Sequence, residues 1–474
     1  MAMRHPRPRA GSDRAITALR ARFPDQLQTG QAIRAQHDAI EGMSDRCPPE
    51  AVLFARSTRD VADAVKICAA HRLPVIAHGA GTSLEGQLSA VEGGLSISLA
   101  AMDKVLETNA EDLDVKVEAG ITREALNAEL KAHGLFFPLD PGANATLGGM
   151  AATRASGTNA VRYGTMREVT LGLTVVTAGG EIITTGTRAR KSASGYDLTR
   201  LYVGSEGTLG IITELRLRVF GLPEHIASAV VQFQTLEGAV RAVIVAMQMA
   251  VPLARIELLD EAQMDACIRY SKLHEFAPNA TLFLEFHGSE AAVAEQAASM
   301  CAITASSGGS AMQFATLTED RNRLWKARHN AWFAARALRP GAFAFATDAC
   351  VPISRLAEAI AETRAEMAAA GLVAPLVGHV GDGNFHMILL FDAENPDERS
   401  RAEAMAESIA RRAIRLGGTA TGEHGIGLHK LETMAAEHGE GALRVMTSIK
   451  QALDPLNIMN PGKTIPGTLQ YPDS

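Results

Sequence analysis

Two histidines flank a short run of glycine and polar residues in the second half of the chain. His379 and His386 enclose the tetrapeptide Gly-Asp-Gly-Asn at 381–384, whose residue types favour a tight turn. If those four residues form a hairpin loop, the two histidines are direct cross-strand partners, with Cβ atoms about 4.5–5.5 Å apart. Two imidazoles at that separation can chelate a divalent metal, although a pair of buried core histidines would show the same spacing.

A second motif contains the carboxylate and the base that such a site would need. The segment Gly422–Gly427 carries Glu423 and His424 between glycines, which allow the backbone to fit closely into a site. Glu423 is of the right type for a third metal ligand, and two histidines with a glutamate suit zinc, manganese or iron. His424 could act as a general base because its unperturbed pKa of about 6.5 lies near physiological pH. A charged surface loop would also explain this segment.

Arg328 is a third candidate for chemistry. It lies in the segment 319–338, which the sequence predicts to be one long helix. A guanidinium can hold a carboxylate through two parallel hydrogen bonds, so Arg328 could bind an acidic substrate. A solvent-exposed arginine on a helix would explain the same residue.

Loops rich in glycine, serine and threonine are concentrated in the first half. The first, Gly79–Gly86, follows a predicted strand, and its glycines would let backbone N–H groups surround a phosphate. It is not a Rossmann fingerprint, because Leu84 stands where the third glycine would be needed. Similar loops follow at 138–142, 146–149, 155–165 and 204–212. Together they favour one long ligand that carries phosphates.

The elements that must position these motifs alternate between strands and helices in both halves. A chain of 474 residues suggests two or three domains, and the pattern predicts the α+β class. We expect an N-terminal helical segment at 1–44, a first domain at 45–224, a second at 225–430 and a C-terminal segment at 431–474 that returns to the first domain.

Composition excludes several classes of protein. The net charge of −7 argues against a nucleic-acid partner. The five cysteines are widely spaced and form no C-x-x-C pair, so we expect neither a disulfide framework nor an iron–sulfur cluster. We find no run of about 18 apolar residues that would predict a membrane span.

The glycine loops resemble those of FAD-dependent oxidases and dehydrogenases of the vanillyl-alcohol oxidase and p-cresol methylhydroxylase (PCMH) type. The resemblance implies a PCMH-type FAD-binding domain followed by an α+β substrate domain of the FAD-linked oxidase C-terminal type. Many relatives attach the flavin through a histidine in the first loop, where this chain has Thr82 and Ser83, so we expect non-covalent FAD. The implied FAD-binding residues are Gly79, Ala80, Gly81, Thr82, Ser83, Gly86, Pro141, Gly142, Thr146, Gly149, Ser156, Gly157, Asn159, Gly164, Glu206, Gly207, Gly210, Ile212 and Asn460.

The motifs H-V-G-D-G-N-x-H and G-E-H-G-I-G, with N-P-G-K at 460–463, narrow the resemblance to D-2-hydroxyacid dehydrogenases. That family includes cytochrome-type D-lactate dehydrogenases, glycolate oxidase and D-2-hydroxyglutarate dehydrogenase. By resemblance, His379, His386 and Glu423 bind a divalent metal, zinc or manganese, and His424 is the base. Relatives that act on 2-hydroxyglutarate have polar or basic side chains at the positions of Trp332, Ala346 and Ile388, so an apolar substrate wall is expected here.

We therefore expect oxidation of D-lactate or a related aliphatic D-2-hydroxy acid to the 2-oxo acid, with hydride transfer to FAD. The electrons would pass to cytochrome c, a quinone, an electron-transfer flavoprotein or oxygen. The open alternatives are a glycolate or D-2-hydroxyglutarate dehydrogenase, a sugar or aldonolactone oxidase, and an inactive subunit of a larger complex. We expect a homodimer that is cytoplasmic or peripheral at a membrane, or mitochondrial in a eukaryote.

Overall fold

The computed structural model describes residues 12–38, 47–189 and 191–467, which form two compact units. The first unit takes in 1–156, 164–222 and 423–474, and the second takes in 157–163 and 223–422. This division differs from the predicted boundaries in three places: 157–163 belongs to the second unit, the main part of that unit begins at 223 instead of 225, and it ends at 422 instead of 430. Parts of the predicted terminal segments, 1–11, 39–44 and 468–474, lie outside the described residues.

The first unit is built on a small mixed sheet and a larger antiparallel sheet. The four-stranded sheet has the order Leu27–Gln28, Ala51–Phe54, Leu95–Ser98, Val75–His78. The five-stranded sheet has the order Val105–Asn109, Asp114–Glu118, Gly210–Arg218, Thr170–Thr177, Ile182–Gly186. A two-stranded pair consists of Phe220–Gly221 and Leu135–Phe136. The strand Val75–His78 delivers the chain directly into the first glycine loop.

Helices of the first unit cover these sheets with apolar faces. The helix Thr58–His71 begins at Ser57, whose side chain accepts a hydrogen bond from the Asp60 N–H, and it buries Val61 and Val65. The α-helices of this unit are Ser12–Arg22, Gln31–Gln36, Thr58–His71, Arg123–Leu130, Leu147–Thr153, Met166–Val169, Leu198–Tyr202 and Met434–Leu453, and its 3-10 turns are Lys131–His133 and Leu431–Thr433.

The second unit contains one large antiparallel sheet. The strand order is Gln313–Ala315, His225–Phe233, Ala280–Gly288, Leu253–Leu259, Leu376–His379, Asn384–Phe391, Phe343–Ala346, and the short strand Ala349–Cys350 also pairs with Asn384–Phe391. Its α-helices are Ala160–Tyr163, Leu236–Gln248, Glu261–Ser271, Glu290–Ser306, Thr318–His329, Ala331–Ala337, Leu356–Ala370 and Pro396–Arg415, and its 3-10 turns are Ile353–Arg355 and Val380–Asp382. The α+β class predicted from the sequence is confirmed.

The predicted single helix over 319–338 is wrong in one respect. The structure has two helices, Thr318–His329 and Ala331–Ala337, separated at Asn330, where ψ is 5° instead of a helical value. Asparagine favours such breaks because its side chain competes for local backbone hydrogen bonds. In the part of the chain that the structure describes, none of the helices combines the length and hydropathy needed to cross a bilayer.

Candidate functional site

His379 and His386 share one face of a hairpin, but they are not the direct partners that the sequence predicts. His379 pairs with Asn384, and His386 lies two residues further along the neighbouring strand. The loop begins one residue earlier than predicted because Gly383, with φ of 77°, closes a 3-10 turn by donating its N–H to the Val380 carbonyl. The imidazole centroids are nevertheless 5.5 Å apart, so one nitrogen of each ring could bind the same ion.

Both imidazoles are oriented through their Nδ1 atoms. Nδ1 of His379 lies 2.8 Å from the Glu257 carboxylate, and Nδ1 of His386 lies 2.8 Å from the Thr347 carbonyl oxygen. Metal-binding histidines usually donate one ring N–H to a carboxylate or carbonyl and ligate through the other nitrogen. The hydrogen bonds therefore assign Nε2 of each ring as the atom suited to ligation.

Glu257 is a buried carboxylate that sequence reasoning missed. It is 1% exposed, forms an ion pair with Arg328 and is hydrogen-bonded to Nδ1 of His379. Burial raises the pKa of Glu257, but the charges and hydrogen bonds of these two partners outweigh burial and hold that pKa below its usual range. One signal was available: this acidic residue interrupts the otherwise apolar end of the strand Leu253–Leu259, and a buried charge needs a partner.

Arg328 is buried, with an exposed fraction of 8%, and does not project into solvent. One of its terminal nitrogens bonds to Glu257, while its Nε is buried and has no hydrogen-bond partner among the described residues. A buried N–H without an acceptor costs about 1–3 kcal/mol. An incoming carboxylate oxygen would remove that cost, in keeping with the predicted role of this guanidinium.

The predicted apolar substrate positions are neighbours within the second unit. Ile388 is buried and pairs across the sheet with Ala346. Ile388 also belongs to a hydrophobic cluster against which the partly buried Trp332 packs. No charged side chain is present at these three positions, so a second carboxylate of a substrate would lack a counter-charge from them.

In the first unit, the first glycine loop, 79–86, packs tightly against the predicted loop 146–149. A Cβ at Gly79 would lie 2.2 Å from Oγ1 of Thr146 and 3.8 Å from Cα of Gly149. The hydroxyls of Thr146 and Ser83, and both ring nitrogens of His78, are buried without hydrogen-bond partners in the described ranges. Buried polar groups are rarely left unsatisfied, so these atoms are suited to hydrogen-bond a polar ligand.

Glu206 holds the segment 423–430, which we call the base loop and which carries the candidate base His424. Its carboxylate accepts the backbone N–H groups of Ile426 and Gly427 at 2.7 and 2.8 Å. Burial raises the pKa of Glu206 to about 7, against the opposing effect of these hydrogen bonds. Glu206 was predicted to bind FAD, and the structure gives its side chain this contact with the base loop.

Glu423 and His424 are each fixed by a side chain of the first unit. Ser156 donates its hydroxyl to Glu423 at 2.5 Å. Nδ1 of His424 lies 3.3 Å from the carboxylate of Glu85, which is fully buried. Sequence reasoning missed Glu85, although an acidic residue inside a glycine-rich loop was a visible signal.

Comparison with known proteins agrees with this architecture. Residues 49–186 match the model of an FAD binding domain, and residues 222–464 match that of FAD linked oxidases, C-terminal domain. The chain is 49% identical over 460 residues to "Probable D-lactate dehydrogenase, mitochondrial" of Danio rerio, covering 96% of this chain and 92% of the relative. This chain belongs to the FAD-linked oxidases. It is therefore a flavoprotein oxidoreductase.

This FAD-linked oxidase is also similar to a second D-lactate dehydrogenase in sequence and to a solved flavoprotein in fold. It is 42% identical over 453 residues to "D-lactate dehydrogenase [cytochrome], mitochondrial" of Arabidopsis thaliana, covering 95% of this chain and 80% of the relative. The solved structure of p-cresol methylhydroxylase with substrate bound matches with a TM-score of 0.81 at 17% identity, covering 99% of this chain and 100% of that one. At that identity the structural likeness shows the fold alone, and it confirms the expected PCMH-type fold.

FAD suits the glycine-loop region of this FAD-linked oxidase. The unsatisfied hydroxyls of Ser83 and Thr146 are donors that the acceptor oxygens of a pyrophosphate would satisfy. Thr82 and Ser83 offer no imidazole for covalent attachment, so non-covalent binding stays our prediction.

The other predicted FAD residues differ in their surroundings. Asn460 donates to the backbone carbonyl of Glu206 at 2.8 Å, and so these two predicted residues are in contact. Gly210 lies in a sheet strand, where a Cβ would lie 2.8 Å from a Val175 methyl. Asn159 belongs to the second unit and accepts from Arg255 at 3.2 Å. The sequence pattern alone did not distinguish glycines required by close packing, such as Gly210, from glycines suited to approach a ligand.

Replacing Gly79 with alanine should reduce FAD binding. The new methyl group would lie 2.2 Å from the Thr146 hydroxyl, and relieving such overpacking costs about 1–3 kcal/mol. We expect the flavin-to-protein ratio of the purified variant to fall at least about fivefold, measured by visible absorbance. Gly221→Ala is the matched control, because no atom lies within 4 Å of its Cβ position and Gly221 is not among the predicted FAD residues. Equal flavin content in both variants would contradict the assignment of the first loop.

Proposed function

We propose that this flavoprotein oxidises D-lactate, or a closely related aliphatic D-2-hydroxy acid, to the 2-oxo acid. The proposal is carried by one chain of contacts in the second unit, in which the Glu257 carboxylate bonds both Arg328 and His379. Arg328, whose cation is suited to bind a carboxylate, and His379, whose imidazole is suited to bind a metal, thus share Glu257 as a partner. A 2-hydroxy acid has the matching pattern, because its carboxylate and its hydroxyl are on adjacent carbons.

In the proposed reaction Arg328 binds the substrate carboxylate and His424 removes the proton of the 2-hydroxyl as general base. His379, His386 and Glu423 would hold a divalent ion, zinc or manganese. When bound, this ion supplies Lewis acidity at the hydroxyl, and FAD supplies the acceptor for the hydride of C2. The chain's own contribution is to bind and orient the acid through Arg328 and to supply His424 as the base.

The apolar positions favour a short or aliphatic substrate. Trp332, Ala346 and Ile388 offer no cation for a second carboxylate, which counts against D-2-hydroxyglutarate. Both relatives compared above are named D-lactate dehydrogenases, whereas glycolate and sugar or aldonolactone substrates remain the alternatives. Turnover of a panel of D-2-hydroxy acids with an artificial electron acceptor tests the proposal: we expect D-lactate to have a higher kcat/KM than glycolate and D-2-hydroxyglutarate. A preference for the diacid would contradict it.

The electrons must leave the flavin for an external acceptor. We propose cytochrome c, because the Arabidopsis relative is named as a cytochrome-type enzyme, and a quinone or an electron-transfer flavoprotein are the alternatives. Both relatives are named as mitochondrial, so we propose the mitochondrial location if the chain comes from a eukaryote. Reduction of cytochrome c by D-lactate in the presence of the purified enzyme would test the acceptor.

Arg328→Lys should raise the KM for D-lactate at least about tenfold, because lysine keeps the ion pair with Glu257 but cannot replace the unpartnered Nε donor. Steady-state kinetics of the FAD-loaded variant would measure this. The control is Arg323→Lys on the same helix, where an exposed arginine pairs with Glu275. An unchanged KM in the Arg328 variant would remove this residue from the substrate site.

A further inference from the structure

Glu85 is a completely buried carboxylate surrounded by basic side chains of the base loop. Its oxygens lie 3.3 Å from Nδ1 of His424, 3.3 Å from Nδ1 of His429 and 3.0 Å from Nζ of Lys430. Burial raises the pKa of Glu85, but the charge of Lys430 and the hydrogen bonds of both histidines hold that pKa well below its usual range. Three basic side chains thus surround the Glu85 carboxylate.

The same short segment also holds the backbone of the base loop. The carbonyl of Glu85 accepts the N–H of Leu428 at 2.7 Å. Gln87 accepts the N–H of Glu85 at 2.9 Å and donates its side-chain amide to the carbonyl of His424 at 2.8 Å. A Cβ at Gly427 would lie 2.0 Å from the Glu85 carbonyl oxygen, so only glycine allows this close approach. Ring and backbone of His424 are thus fixed by neighbouring residues.

We propose that Glu85 is a positioning residue for His424, fixing the orientation of its imidazole through Nδ1 so that Nε2 receives the substrate proton. This inference rests on the proposed role of His424 as base. A carboxylate that bonds one nitrogen of a catalytic imidazole selects both its tautomer and its ring orientation. Lys430 and His429 compensate the buried charge, and neither contact is needed to orient the His424 ring.

The test distinguishes loss of the contact that orients the His424 ring from loss of other contacts around Glu85. Glu85→Asp keeps the buried anion but withdraws it by about one C–C bond length, ~1.5 Å, which breaks the contact with His424. We expect kcat for D-lactate to fall about 10–100-fold, with KM within about threefold and flavin content unchanged. His429→Gln removes one partner of Glu85 from the same cluster but leaves the Lys430 charge and the contact between Glu85 and His424, so its kcat should stay within about threefold of the wild type.

Each alternative result is decisive. Wild-type kcat in Glu85→Asp would overturn the inference. Loss of flavin or of the folded state would overturn it as well, because Glu85 would then serve the fold and not the orientation of His424. An active His424→Asn protein would instead refute the proposed base, independently of what the Glu85 variants do.

Discussion

Replacing His424 with asparagine is expected to abolish D-lactate oxidation while FAD stays bound. General base catalysis contributes about 10²–10⁴-fold to a rate, so kcat should fall about 1,000-fold, or about 4 kcal/mol in the activation barrier. Asparagine is smaller and can still accept from Gln87 through its backbone carbonyl, and therefore the loop should keep its course. Steady-state turnover and single-turnover flavin reduction would both measure the loss.

His438 provides the matched control for this prediction. It lies on the helix Met434–Leu453 in the same unit, its side chain is 36% exposed, and its ion pair is with Glu437, outside the base loop. His438→Asn should retain turnover and flavin content. A His424→Asn protein that reduces its flavin within about tenfold of the wild-type rate would show that another group removes the proton.

Removal of the divalent metal should have an effect of similar size. A Lewis acid stabilises the developing alkoxide by several kcal/mol, so prolonged dialysis against a chelator should lower kcat/KM by about 100-fold or more. Adding zinc or manganese should restore the kcat/KM of the wild-type protein. His386→Ala should contain little metal by elemental analysis and should not be restored, because one of the two facing imidazoles is missing.

The control for the metal prediction is His274→Ala. His274 is exposed and lies outside the histidine hairpin of the same unit, so its replacement should change neither metal content nor turnover. Full activity of metal-free protein would contradict the proposed ligand set. Chelator-insensitive turnover of a sugar or aldonolactone would instead favour an oxidase of that class, which has no need for His379, His386 and Glu423.

Local sequence patterns predicted many of the strands and helices, and they also indicated which types of residue form the site. Gly79–Ser83 follows a strand as expected. Ile388 lies two residues past His386 on the strand Asn384–Phe391 and so shares its face, because strand alternation is a local property. The hairpin register was predicted wrongly, because it depends on which glycine of the Gly-Asp-Gly turn takes positive φ. Both glycines would permit that conformation, and in the structure Gly383, with φ of 77°, adopts it.

The residues that orient the site could not be found from spacing. Glu257 is 122 positions from His379, and Glu85 is 339 positions from His424. Contacts over such separations leave no periodicity in a single sequence, since they are created only when the chain folds. An isolated acidic residue in an apolar strand or in a glycine loop indicates that a buried partner exists, but not which residue it is.

Anaerobic mixing of the FAD- and metal-loaded enzyme with D-lactate is the most direct test of the central claim, that this flavoprotein oxidises a D-2-hydroxy acid with His424 as base. We predict that the visible absorbance of the oxidised flavin disappears, that pyruvate forms in equal amount, and that His424→Asn leaves the flavin oxidised over the same time. A wild-type flavin that stays oxidised with D-lactate while metal is bound would contradict the account.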